Sequence, residues 1–156
     1  MTKNKHPRVA YFSMEYGLHQ DLKLYAGGLG ILAGDYIKGA KQYDFPIVAI
    51  GIKWKQGYTD QLIDEKGKPY DTYHNQEFDN LEDTGVKVSV EIRGEEIWCK
   101  VWKTEAYDNV PLYLLDTDIE ENSDRWLTGQ LYGWFGEERV AQEIILGVGG
   151  VRALRA

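Results

Sequence analysis

Tyr25–Asp44 reads YAGGLGILAGDYIKGAKQYD, and this stretch decides the fold. Three glycines in four positions, Gly27, Gly28 and Gly30, lead directly into a patterned segment. Apolar or small residues recur at Leu29, Leu32, Ala33, Tyr36, Ile37 and Ala40, and spacings of three and four predict one buried face of an α-helix. Asp35, Lys38, Lys41 and Gln42 fall between them, on the expected solvent side. A glycine turn that feeds a helix leaves several backbone N–H groups without intrahelical acceptors, and the helix dipole adds partial positive charge there. Such a turn suits an anion, most often a phosphate.

The flanking segments have the texture of a parallel sheet. Arg8–Ser13 (RVAYFS) is β-rich, follows Pro7 and predicts a first, largely buried strand. It runs into Glu15, which a strand's carboxyl end would leave at the mouth of a sheet, where α/β proteins bind ligands. A solvated loop glutamate fits the sequence equally well, and His19 reads as surface polar. Pro46–Gly51 is a short continuous apolar run, as expected for a strand covered on both faces. Strand, glycine turn, helix and strand make a βαβ unit. Ile52–Ile63 keeps a β-like composition and is compatible with an extension of that strand, bent at Gly57.

Asp64–Pro69 is a turn cluster, and Tyr70–Asp83 has no clear period. Val86, Val88, Val90 and Ile92 then alternate strictly with polar residues, Gly94-Glu95 punctuates, and Ile97–Thr104 returns, which predicts a β-hairpin region over 86–107. Pro111–Asp116 adds another short apolar run. The acidic residues of Asp116–Asn122 alternate as in a calcium loop, but Glu121 and Leu127 stand where an EF-hand needs glycine and glutamate, so an acidic surface loop is expected and no metal. From Glu137 the pattern is helical to the last residue, with Val140, Ala141, Ile144, Ile145, Val148 and Val151 on one face. Gly147, Gly149 and Gly150 interrupt it at a cost of about 1 kcal/mol each, which close packing against a neighbouring backbone would explain. The helical pattern reaches the final position with no capping glycine or proline stop, which suggests a helix truncated at the chain end.

With 156 residues, of which 43% are hydrophobic, the chain is long enough to close one core. Residues 1–8 are expected to form a flexible start, and the whole reads as a single partial domain. A net charge of −7 disfavours nucleic acid and anionic membranes as partners. Cys99 is the only cysteine, which fits a reducing, cytoplasmic location, and the start lacks an apolar signal core.

Three phosphate chemistries compete for the glycine turn. Gly28-Leu-Gly30-Ile-Leu-Ala33 formally fits the dinucleotide pattern, but fourteen residues, Met14–Gly27, separate Ser13 from Gly28. In addition, Ile47–Trp54 offers no acid for a ribose. No lysine followed by serine or threonine stands directly after the glycines, so a Walker loop is excluded.

The third chemistry comes with a resemblance. Tyr11–His19 (YFSMEYGLH), Tyr25–Asp35 (YAGGLGILAGD), Gln56-Gly-Tyr58 and Arg139–Leu154 (RVAQEIILGVGGVRAL) together resemble the amino-terminal part of the α-glucan phosphorylases of glycogen, starch and maltodextrin, in their shorter prokaryotic branch. The resemblance runs in order from about Val9 to the last residue. It implies an α/β fold: the Rossmann-like amino-terminal half of a GT-B glycosyltransferase, incomplete, with an inserted antiparallel β-hairpin. It also implies reversible phosphorolysis of terminal α-1,4-linked glucose to glucose 1-phosphate, with pyridoxal phosphate as cofactor. Glucan and phosphate are the implied partners, and allosteric control and a homo-oligomer are compatible with the complete enzyme.

Residue by residue, Gly27, Gly28 and Gly30 match the family's glycine loop, and Leu29 the position against the sugar. Glu15 and Asp35 match acids near the cleft. Leu131-Tyr-Gly-Trp134-Phe135 departs from the family's usual Leu-Tyr-Gly-Gly-Asp, and no lysine here matches the cofactor motif. The resemblance therefore implies a chain that carries the glycine loop but is not catalytic alone. Two other readings use the same features: a nucleotide-sugar glucosyltransferase of the glycogen-synthase type, which also has a GGLG turn, and a non-catalytic glucan-binding module drawing on the five tryptophans.

Overall fold

A computed structural model describes residues 9–133 and 136–156. The expected flexible start at 1–8 and the Trp134-Phe135 departure lie outside the described residues. The expected βαβ unit is formed by β1 (Val9–Phe12), α1 (Gly28–Gln42) and β2 (Ile47–Ile52), with β1 and β2 parallel in the register Val9↔Ile47 to Phe12↔Ile50. β7 (Leu112–Asp116) adds in parallel on the other side of β2. β6 (Glu95–Thr104) then pairs antiparallel with β7, and β5 (Glu82–Ile92) antiparallel with β6. The result is a mixed five-stranded sheet in the order β1-β2-β7-β6-β5.

Successive strand residues point to opposite faces, and the two helical layers follow that alternation. Tyr11 packs under α1, its ring centre 5.1 Å from that of Tyr36. Its neighbour Phe12 faces the other layer, which holds α2 (Glu137–Ile144), a π-helical turn (Ile145–Gly149) and α3 (Gly150–Arg155). Between the layers Ala49, Ile50, Leu112, Leu114, Leu115 and Ile145 are wholly buried.

Four expectations change in detail. The buried face of α1 is Gly30, Ala33, Gly34 and Ile37, whereas Leu29, Leu32 and Tyr36 are at least half exposed. Small residues face inward because α1 sits directly on the loop after β1: a Cβ on Gly34 would lie 2.1 Å from Gly17 O, and Gly17 N–H donates to Gly30 O at 2.7 Å. Nor does β2 continue to Ile63. Beyond Ile52, the N–H groups of Lys55 and Gln56 donate to Thr128 O and Gly129 O, and the chain turns at Gly57, whose φ of +67° glycine adopts freely. β3 (Asp60–Ile63) and β4 (Pro69–Thr72) form a separate two-stranded ribbon.

β5 starts earlier than its alternation predicts, because a register shift between Asp83 and Lys87 breaks the period of two before Val86. It joins β6 through Arg93 and Gly94, both at positive φ, as a two-residue hairpin turn of type I′ requires. In the last segment the apolar face is rotated: Ala141, Gln142, Ile145, Gly149 and Gly150 are buried, and Val140, Val148 and Val151 are exposed. Close packing accounts for one of the three glycines, and against side chains rather than the neighbouring backbone expected. A Cβ on Gly150 would lie 2.5 Å from Phe12 Cε1 and 2.7 Å from Ile50 Cγ2, whereas one on Gly149 would make ordinary contact at 3.4 Å from Leu115 Cδ1, and one on Gly147 meets nothing within 4 Å.

Candidate functional site

Because β1, β2 and β7 are parallel, their carboxyl ends open on one edge of the sheet, and the chain leaving each is held by buried polar contacts there. After β1 comes Glu15, 3% exposed, whose Oε2 accepts from Ala26 N–H at 2.9 Å and Gly27 N–H at 3.2 Å. Its Oε1 accepts from Tyr132 Oη at 2.6 Å. A carboxylate of the chain itself thus takes the first two amides of the glycine turn, and the favourable field of a helix N-terminus stabilises it there. Burial, then the hydrogen bond and charge of Glu15, push the Tyr132 hydroxyl up to about 12. The Arg139 guanidinium lies 4.4 Å over the Tyr132 ring, and Tyr58 meets the same ring edge-on.

Gly30 makes this arrangement possible, since a Cβ there would lie 2.3 Å from Tyr25 Cβ and 2.9 Å from Glu15 Oε2. Gly27 and Gly28 differ. Both are exposed, and a Cβ on either meets nothing within 4 Å. Gly27, at φ −166°, lies in extended backbone open to any residue, so packing among the described residues does not require glycine there. The N–H groups of Gly28 and Leu29 have no acceptor among the described residues, because the bonds that open α1 start with Gly30 N–H to Gly27 O. Leu29 is 51% exposed beside them. The turn therefore leaves two amide donors unclaimed by the described residues, with no side-chain bulk at Gly27 and Gly28.

The structure brings Glu15, Gly27, Gly28, Leu29 and Gly30 together. Asp35 lies two turns along α1, exposed, in a depression it shares with Lys38, Lys41 and Asp108. His19 is exposed and stacks on Tyr107. Tyr132 and Arg139 are the residues that sequence reasoning did not single out. Arg139 opens a segment quoted for the resemblance and Tyr132 stands in the one that departs from it, yet nothing in their spacing indicates that Tyr132 would reach a glutamate 117 residues away.

The carboxyl ends of β2 and β7 carry a second polar cluster. Lys53 Nζ and Trp102 Nε1 both donate to Asp116 Oδ2, at 2.8 and 3.0 Å, and Lys53 also lies over the Phe78 ring. Lys55 pairs with Asp118 at 2.6 Å, and Lys87 with Glu121. Partial burial works against ionising Asp118, but Lys55 and Arg125 outweigh it and hold its carboxyl below the usual range. Three carboxylates of the acidic run are thus matched by cations of the chain. These lysines are engaged in ion pairs, as are Lys23 with Asp60 and Lys100 with Asp83.

Searched against family models, the chain matches none. It is 39% identical over 160 residues to the maltodextrin phosphorylase of Thermococcus litoralis, covering 94% of this chain and 19% of that protein. It is 40% identical over 159 residues to the glycogen phosphorylase of Mycobacterium tuberculosis, covering 95% of this chain and 18% of the relative. An uncharacterized protein of Methanocaldococcus jannaschii is 43% identical over 151 residues, 94% of this chain and 29% of that protein. The chain thus spans less than a third of the length of these relatives. Across nearly its entire length, it is homologous to an amino-terminal portion of the glycogen and maltodextrin phosphorylases.

Proposed function

We propose that this chain is the amino-terminal piece of an α-1,4-glucan phosphorylase, contributing one wall of a cleft in which glucan and phosphate react to give glucose 1-phosphate. The observation that carries the reading is the pair of amides at Gly28 and Leu29 without an acceptor among the described residues, on a turn whose exposed glycines the packing does not demand. Donors fixed before the reaction stabilise developing negative charge without reorganising, and glycine lets sugar or phosphate oxygens approach the backbone closely. Glu15 holds the turn from behind, and Tyr132 holds Glu15. The polypeptide facing this wall belongs to the longer protein. Exposed Leu29, Leu32 and Tyr36 on α1 suit such a covered face.

The GT-B architecture, the cytoplasmic location and any allosteric control belong to the same reading. Pyridoxal phosphate does not fit the residues present, since no lysine here matches the family's cofactor motif and seven lysines are held in ion pairs. We assign the cofactor lysine to polypeptide outside these 156 residues.

Two assays test the reading. The longer protein that contains this chain should release glucose 1-phosphate from maltodextrin and phosphate, and glucosyl transfer from a nucleotide sugar instead would overturn the assignment. The 156-residue chain alone, given maltodextrin, phosphate and pyridoxal phosphate, should release none. Steady product formation by it would show that the facing half is dispensable.

A further inference from the structure

Among the described residues, the five-stranded sheet ends in an open strand, because β5 pairs with β6 alone. Past its register shift, β5 is regular over residues 87–92, and the two-residue turn at Arg93-Gly94 fixes its hydrogen-bonding pattern. Ile92 and Glu95 close that turn as a hydrogen-bonded pair, and such pairs alternate with non-hydrogen-bonded ones along an antiparallel ladder. Val90↔Ile97 and Val88↔Cys99 are therefore the bonded pairs. The backbone N–H and C=O groups of Lys87, Ser89 and Glu91 point away from β6, towards the open edge. On β6, Trp98 opposite Ser89 likewise turns both backbone groups away from β5, to the Asn122 side chain at 2.8 and 2.7 Å. Only Arg152, among the described residues, reaches these edge positions from outside, where its guanidinium donates to Ser89 O.

An unpaired edge of this kind is a template for another strand, and the charges along it select which. Lys87 stands opposite Lys100, and Glu91 opposite Glu96, so two like-charge pairs face each other across the β5–β6 ladder. Like charges directly opposite are destabilising. Lys87 is answered by Glu121 and Lys100 by Asp83, but neither Glu91 nor Glu96 has an ion-pair partner among the described residues. Lys87 and Glu91 lie symmetrically about Ser89, two residues to either side. A second copy of β5, run antiparallel about a two-fold axis at Ser89, sets Lys87 of each copy opposite Glu91 of the other. It also sets Val88 opposite Val90, so the buried row of valines continues across the join. Sliding the copy by two residues in either direction loses both charge contacts, and sliding it by one turns every side chain to the wrong face. Beneath the edge, the π turn and α3 pack on β5, and Val148, about one turn before Arg152, is 46% exposed on that layer.

We infer that the β5 edge is a self-association surface, on which two copies of this chain pair antiparallel about Ser89 into one continuous sheet. The contact is isologous, with the same patch used by both copies. Each bonded pair across the join exchanges two backbone hydrogen bonds, and Ser89 O takes the partner's amide in place of Arg152. The inference stands apart from the phosphorylase reading, since it uses no residue of the glycine turn.

Sedimentation velocity over a concentration series tests this, on the 156-residue chain and on the longer protein that contains it. A reversible monomer–dimer equilibrium is expected in both. Lys87→Glu and Glu91→Lys, each checked for an unchanged circular dichroism spectrum, set like charges opposite at both symmetric contacts and should weaken the dimer about tenfold or more. The double variant exchanges the two charges and should regain most of the affinity, which a merely structural role for either residue does not predict. In oxidised Ser89→Cys, a disulfide should link the copies, since α-carbons about 5.5 Å apart in a bonded pair lie within disulfide reach and the native Cys99 is buried. A chain that stays monomeric at every concentration would overturn the proposal, as would single reversals without effect or a double variant as weak as the singles. Association lost on Leu32→Ser would move the contact to α1, and association confined to the short chain would show the edge covered by its own longer polypeptide; either result rejects the pairing. Phosphorolysis by the longer protein is read separately, so the two ideas fail independently.

Discussion

Tyr132 and Glu15 stand 117 residues apart in the chain, and their side chains meet in a 2.6 Å hydrogen bond behind the glycine turn. This contact ties the segment before α2 to the N-terminus of α1. Tyr132→Phe removes the hydroxyl and leaves one oxygen of a buried carboxylate without its donor. Hydrogen bonds to charged groups contribute about 1.5–3 kcal/mol, and urea unfolding should show a loss of that order. If the proposed phosphorylase activity holds, the same variant in the longer protein should lower the phosphorolysis rate by loosening the turn.

The same residue gives an alkaline signature. The Tyr132 hydroxyl titrates at about 12 in the folded chain against 10.0 when unfolded, so between those values the folded state holds more protons. Its contribution to stability is complete below pH 10, and falls away as pH rises through about 12. Burial raises Tyr16 as well, and the variant retains that group. Tyr132→Phe should therefore flatten, without abolishing, the decline of stability over this window, as read from unfolding midpoints at stepped pH.

Glycines of the turn separate into two classes. Gly30→Ala drives a Cβ into Tyr25 and Glu15 and should destabilise the chain by about 1–3 kcal/mol. Gly27→Ala and Gly28→Ala meet open space, and should change stability by no more than about 0.5 kcal/mol. If the turn receives phosphate and sugar, these two silent variants should still depress phosphorolysis in the longer protein. Full activity in both would remove the turn from the mechanism.

The βαβ unit and the strands around it were legible because each carries a strong period or a continuous apolar run. What escaped reading had a physical reason in each case. α1 buries glycine and alanine, which weigh little on an apolar count, and leaves Leu32 exposed. The start of β5 is hidden by its register shift at Asp83, and the turn at Gly57 depends on contacts with Thr128 and Gly129, far along the chain. At the site, Glu15 and the glycines were legible as types in a place. The Tyr132 contact was not, since a link over such a distance leaves no local pattern.

Lys53 and Asp116 form a largely buried ion pair, their side chains 14% and 5% exposed. Lys53→Met leaves the carboxylate with Trp102 Nε1 and Asp118 N–H as its donors, and should cost about 3–5 kcal/mol. Adding Asp116→Leu should recover part of that loss, because no unpaired charge then remains. A double-mutant cycle by chemical denaturation measures the difference.

Cys99 is wholly buried, and burial, reinforced by the charge of Asp116, pushes its thiol up to about 12. Ellman's reagent should leave it untouched near neutral pH in the folded chain. Reaction should appear only in denaturant, in step with the loss of helical circular dichroism. Fast labelling of the native chain would show that the β5–β6 end of the sheet opens independently.

The π turn at Ile145–Gly149 has a consequence for how this chain tolerates changes in length. A residue removed from an α-helix swings everything beyond it by about a quarter of a turn. A π turn already contains one residue more than the α-helical path needs. Losing Gly147, around which a side chain would meet no neighbour, would let the segment relax to α-helix with Gly150 still set against Phe12 and Ile50. At this point in the sequence, a single-codon deletion is a conservative edit.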